Sequence, residues 1–180
     1  FPRERSWVRS YPSTEKAGRS ISAARLAVLD EYAYHPWAQK TMGSIAPSVD
    51  SNPQGQLFLL STANGVGNAF HLQWQAATQK QGYIQPEKRE DGLYSFGDRL
   101  RRRVDDLKPS EWLAIFLPWY IRPGRDQDWY EREKNAPTYA AYPKLFAQEF
   151  PTTPEDAFVQ TGRPVFAKED LDRQTDKFVS

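Results

Sequence analysis

The sequence predicts an α/β protein with a mainly parallel sheet flanked by helices. Three observations carry that prediction. "RLAVLD" and "QLFLLST" are short, continuous apolar runs, the pattern of strands buried on both faces. Each is followed by a segment with apolar residues at helical spacing. A third apolar run, "WLAIFLPWY", returns after a long polar stretch. Strand, helix, strand, helix is the order of parallel α/β construction.

The elements follow in chain order. "SWVRSY" (6–11) alternates well enough for a strand, and "PSTEKAGRSIS" reads as a polar loop. "RLAVLD" is the first buried strand. Pro36 suits the first turn of a helix. Ala38, Met42 and Ile45 then share one face, and Pro47 is expected to stop that helix. "DSNPQG" is rich in turn formers and leads into the second strand, "QLFLLST". After "ANGVGN", Asn68 is placed to cap a helix with Phe70, Trp74 and Ala77 on one face. Residues 79–111 are polar and of nearly balanced charge. They read as an exposed excursion with a short charged helix over 98–107. Residues 112–120 form the third strand. The remainder reads as helical: "DQDWYEREK", then 139–150 interrupted by Pro143, then "PEDAFV". In the last, Thr153 caps, Pro154 takes the first position and Asp156 completes a capping box.

Composition narrows the functional classes. The chain has 180 residues, enough for one domain with a real core. Aromatics make up 14%, with six Trp, so large rings need burial somewhere. A net charge of +1 argues neither for nor against nucleic acid. With no cysteine, disulfides and cysteine-based zinc sites are excluded. No apolar run has the length of a membrane span. "FPRERSWVRS" lacks the apolar stretch of a secretory signal, and a first residue other than Met reads as a piece of a longer chain.

Asp30 and Glu31 stand side by side where the first strand ends. A carboxylate at that point can hold Mg²⁺ through water, and its neighbour can orient and deprotonate an attacking water. The plainer alternative is a strand that ends in two solvated acids. The second strand ends in "STANG". Its hydroxyls and amide can reach a terminal phosphate, or they form a turn with a helix cap. Ligands of open α/β sheets bind at the carboxyl ends of strands, where both motifs would lie. His35 and His71 have no partner at ligand spacing, so a metal site built on them is not expected. Arg101–Arg103 are flanked by Asp98, Asp105 and Asp106 and read as a charged exposed helix. Trp119, Trp129 and Tyr130, near Arg122 and Arg125, are expected to pack a subdomain rather than stack on bases.

Four blocks, "GRSISAARLAVLDEYA", "LLSTANGVGNAF", "FLPWYIRPGRDQDWY" and "AQEFPTTPEDAFVQTGRPVF", together resemble the large terminase subunit of tailed bacteriophages, an ATP-driven genome-packaging motor. Their order and approximate spacing match across most of the chain, and "QEFPTTPEDAF" is the most specific part. The resemblance implies a partial RecA-like P-loop NTPase fold. Residues 1–136 would be the C-terminal part of the ATPase domain, and 137–180 a small, mostly helical linker subdomain leading toward a nuclease domain. It implies that Asp30 and Glu31 are the Walker B pair, with Asp30 the Mg²⁺ ligand. Ser61, Thr62 and Ala63 become the coupling motif, with Asn64 at its edge. Arg19 resembles an arginine finger that acts on a neighbouring subunit's nucleotide; the alternative is a solvated loop arginine. Arg25 is a lesser candidate. ATP and Mg²⁺ follow as cofactors. Double-stranded DNA, the portal and procapsid, and the small terminase subunit follow as partners, in a homo-oligomeric ring in the host cytoplasm.

The sequence departs from that family in two ways. It contains no G-x-x-x-x-G-K-[ST], the loop and lysine that grip a triphosphate. Glu169, Asp170, Asp172 and Asp176 have helical spacing and read as a solvated face rather than a nuclease site. The expectation is therefore the middle of a terminase, inactive on its own. The alternative is a non-catalytic α/β module that binds DNA or a protein.

Overall fold

The computed structural model describes residues 7–18 and 21–158. Arg19 and the acidic run after Phe166 lie outside the described residues. The fold is mixed α/β, with seven α-helices and six short strands among the described residues. No helix among them is long and apolar enough to cross a membrane. The chain divides into two compact units, one ending at Thr62 and the other beginning at Ala63.

In the first unit, β1 (Leu26–Leu29) and β2 (Gln56–Leu59) are joined by α1 (Ala38–Asp50). The strands pair in parallel, with Leu26 opposite Gln56 and Leu29 opposite Leu59. This is the expected strand–helix–strand unit. Its helix buries Ala38, Thr41, Ile45, Ser48 and Val49 on one face, close to the face read from Ala38, Met42 and Ile45. Ala17, Leu29, Tyr32 and Ala33 are also buried in this unit. Gly55 lies so close to the carbonyl of Val49 that a Cβ would not fit, which lets the chain turn directly from the helix end into β2.

Three expectations fail in this unit. Residues 7–11 form no strand and are exposed, because no second strand lies beside them to satisfy their backbone groups. β1 is not buried on both faces. Leu26 (57% exposed), Val28 (48%), Phe58 (44%) and Leu60 (48%) are open to solvent, since α1 packs on the alternate residues only. Pro47 does not stop α1, which continues to Asp50. It falls in the last turn, and its own carbonyl still accepts from Ser51 N–H at 3.1 Å, so the helix closes normally beyond it.

The second unit opens with α2 (Ala69–Gln81), capped as predicted by Asn68, whose Oδ1 accepts from His71 N–H at 3.0 Å. The polar excursion is more ordered than expected. β3 (Tyr83–Ile84) is followed by a hairpin of β4 (Glu87–Lys88) and β5 (Tyr94–Ser95), then α3 (Asp98–Asp105). Arg99 ties this segment together, with a salt bridge to Glu87 at 2.6 Å and a hydrogen bond to the Gln85 carbonyl at 3.0 Å. Arg103 donates to the Gln81 carbonyl at 2.8 Å. The third apolar run yields only β6 (Ala114–Ile115), which pairs in parallel with β3. Among the described residues, the single parallel sheet is thus replaced by three two-stranded sheets, two of them parallel. The reason lies in the flanks. Pro118 leaves "WLAIFLPWY" little room to extend, and Tyr83–Ile84 offers a nearby partner.

The remaining described residues of this unit are mainly helical, as predicted: α4 (Gln127–Lys134), α5 (Pro137–Ala140), α6 (Pro143–Glu149) and α7 (Pro154–Ala157). Asp126 caps α4 by accepting from Trp129 N–H at 2.8 Å. Thr153 and Asp156 form the reciprocal capping box, at 3.0 and 3.2 Å. Phe146 is 2% exposed and holds the centre, with Tyr130, Tyr139 and Phe150 around it at ring distances of 5.0–5.4 Å. Trp119 stacks on Tyr130 at 4.4 Å and on Trp129 at 6.0 Å. Its indole N–H donates to Thr152 Oγ1 at 3.1 Å. Arg125 lies over Trp129 and Phe150, where burial and the neighbouring Arg122 lower its pKa. These aromatics pack the subdomain, as expected. A second cluster joins Trp74, Tyr83, Phe116 and Phe158.

Candidate functional site

The candidate site is the carboxyl-end rim of β1 and β2, within the first unit. Parallel pairing in register puts the residues after Leu29 beside those after Leu59. The ladder continues past the strands: Leu60 N–H donates to the Leu29 carbonyl at 2.9 Å, and Tyr32 N–H to the Leu60 carbonyl at 3.0 Å. Asp30 and Glu31 are therefore brought level with Leu60 and Ser61. Glu31 Oε2 lies 3.4 Å from Ser61 Oγ, which also accepts from Ala33 N–H at 3.1 Å. Thr62 Oγ1 faces the Tyr34 hydroxyl at 3.4 Å.

Both carboxylates are exposed, so neither bears the cost of an unpaired buried charge. Asp30 Oδ1 accepts from the Glu31 N–H at 3.1 Å. Glu31 adopts a left-handed conformation, φ 51° and ψ 40°. It opens a single 3₁₀ turn over Tyr32–Tyr34, which bends the chain away from the strand axis. The two acids therefore do not continue the strand. Tyr32 is buried, its hydroxyl donates to the Ala38 carbonyl at 3.1 Å, and burial raises its pKa.

Of the residues singled out in the sequence, Asp30, Glu31, Ser61 and Thr62 meet at this rim. Ala63 and Asn64 belong to the second unit. Ala63 is buried there with Phe116 and Ala157, and the Asn64 carbonyl accepts from Asn68 Nδ2 at 2.7 Å. Arg25 precedes β1, at the opposite end of the strand from the acids, and its carbonyl accepts from Gln56 N–H at 2.9 Å. Sequence reasoning passed over His35, weighing it only as a metal ligand. Its Nε2 lies 2.8 Å from the Asp30 carbonyl, and its ring packs edge-on to Tyr32 at 5.8 Å. No sequence signal pointed to it, because the 3₁₀ turn that brings it back to Asp30 is a feature of the folded backbone.

The donors at the rim are carboxylate and hydroxyl oxygens, of the class that holds hard divalent cations. Among the described residues, no three His, Asp or Glu side chains converge as a protein-only metal site would need. Mg²⁺ does not need one, because it is held by one or two carboxylates while water and phosphate supply the rest. Asp30, with Glu31 beside it, could hold such an ion. No family model, curated protein or solved structure matches the chain.

Proposed function

We propose that the chain is part of an ATPase of the terminase large-subunit kind, a partial RecA-like P-loop fold in which cleavage of the terminal phosphoanhydride of ATP drives DNA into a procapsid. One observation supports it above all. An acidic tip and a hydroxyl tip lie side by side on adjacent parallel strands, with Glu31 Oε2 and Ser61 Oγ 3.4 Å apart. In this reading Asp30 holds Mg²⁺ through water, and the ion offsets the negative charge of the phosphates. Glu31 orients the attacking water and takes its proton. In this reading the Ser61 and Thr62 side of the rim would face the terminal phosphate. Grip on the rest of the nucleotide would fall to a G-x-x-x-x-G-K-[ST] loop, which this sequence does not contain. Double-stranded DNA, a portal-bearing procapsid, the small terminase subunit and a ring of like subunits in the host cytoplasm are the partners and setting the reading brings with it.

Mn²⁺ standing in for Mg²⁺ tests the reading on this chain. With ATP present, broadening of amide signals is expected at residues 30–33 and 61–62, and it is lost in Asp30→Asn. Broadening elsewhere, or broadening that survives Asp30→Asn, overturns it.

The absent phosphate loop favours a second reading, an α/β module that binds DNA or protein without catalysis. That reading predicts no Mn²⁺ effect at the rim.

A further inference from the structure

Glu31 carries its side chain in a backbone conformation that disfavours one, with φ 51°. Such a conformation persists only where the surroundings over-determine it. Three hydrogen bonds surround it. Tyr32 N–H reaches the Leu60 carbonyl at 3.0 Å, His35 Nε2 lies 2.8 Å from the Asp30 carbonyl, and Ala33 N–H donates to Ser61 Oγ at 3.1 Å. The bond to Ser61 differs from the other two. A hydroxyl that accepts one bond still has its own proton to donate. The partner within reach of that proton is Glu31 Oε2, at 3.4 Å, the long end of hydrogen-bond range. One oxygen thus touches both the turn that follows Glu31 and the carboxylate itself. Thr62 does not share this arrangement, because its hydroxyl faces Tyr34.

We propose that Ser61 is a positioning residue for Glu31, holding its carboxylate in one rotamer over the rim before any ligand arrives. The functional meaning rests on the reading of Glu31 as the base that activates water. A base held in place before reaction avoids the loss, about 100-fold for a 1 Å displacement, that misplaced groups suffer.

The test uses the whole chain, without metal or nucleotide. Three-bond couplings report whether the Glu31 side chain occupies one rotamer, and hydrogen exchange reports the Ala33 amide. A single rotamer is expected in the unmodified chain. In Ser61→Ala the couplings should average, and Ala33 exchange should rise roughly five- to tenfold as its acceptor is lost. Ser61→Thr, which keeps the hydroxyl, should restore both. A purely structural role for Ser61 would change Ala33 exchange and leave the Glu31 couplings unmoved, and that result overturns the proposal. If Ser61→Ala does not fold, the unmodified chain decides: one Glu31 rotamer supports the proposal, and free averaging overturns it. Because no metal is present, failure here is separate from failure of the Mn²⁺ titration, which bears on the ATPase reading.

Discussion

The left-handed backbone at Glu31 makes a prediction whose sign is unusual. Replacing it with Gly and with Ala removes the carboxylate in both cases, so the difference between the two variants reports the backbone alone. A residue with a Cβ loses about 1–2 kcal/mol in this conformation. Glycine escapes that cost but gives up more freedom on folding, about 0.5–1 kcal/mol. The net expectation is that Glu31→Gly is more stable than Glu31→Ala by about 0.5–1 kcal/mol. With a urea slope of about 2 kcal/mol/M, the midpoints should differ by roughly 0.4 M. Amide signals of β1 and β2, followed through a urea titration, isolate the first unit. Gly43 supplies a control of opposite sign. It lies in α1 with open space where a Cβ would go. Gly43→Ala should therefore stabilise by about 1 kcal/mol. Equal midpoints for the two Glu31 variants, or a more stable Glu31→Ala, would refute the strain argument.

Phe146→Ala should cost about 3–5 kcal/mol, since it empties the centre of the cluster around a side chain only 2% exposed. Urea unfolding followed by tryptophan fluorescence measures it, and a loss below about 1 kcal/mol would mean that the cluster collapses freely. His71 makes the second unit sensitive to acid. Its Nδ1 accepts from Gly67 N–H at 3.0 Å, and burial lowers its pKa from 6.5. The unfolded chain then binds the proton more readily than the folded one. Stability is thus full above the ordinary histidine pKa and falls as pH drops through it toward the lower folded value. Faster exchange of the Gly67 amide at pH 5 than at pH 7, after correction for intrinsic rates, is the expected result, and His71→Gln should remove that dependence.

What the sequence made legible was local. Asn68 and the Thr153–Asp156 box could be read as helix starts because a cap needs only residues within one turn of each other. β1 and β2 were legible from apolar runs of strand length, and their juxtaposed acids and hydroxyls followed once they paired in parallel. Partner choice was not legible. Nothing in "WLAIFLPWY" says that Ala114 and Ile115 pair with Tyr83 and Ile84 rather than with β1 or β2. Burial on both faces was inferred from apolar character, but that character shows only what a face would tolerate, and Val28 and Phe58 remain in water. Pro47 read as a stop because its cost depends on which turn it occupies. The left-handed Glu31 had no sequence signal at all, as only glycine or asparagine would have announced it. His35 entered the site through backbone geometry that the same turn creates.

The stacked indoles of Trp119 and Trp129 have an optical consequence. Their ring centres are 6.0 Å apart, with planes inclined by 27°. Chromophores that close couple their excitations, and when their transition moments are held skewed to each other the coupling gives a paired positive and negative band in the circular dichroism spectrum. That band should vanish when the rings part, while the helical bands lose little. The aromatic subdomain over residues 119–157 therefore carries a built-in optical gauge, which can follow its opening without any label.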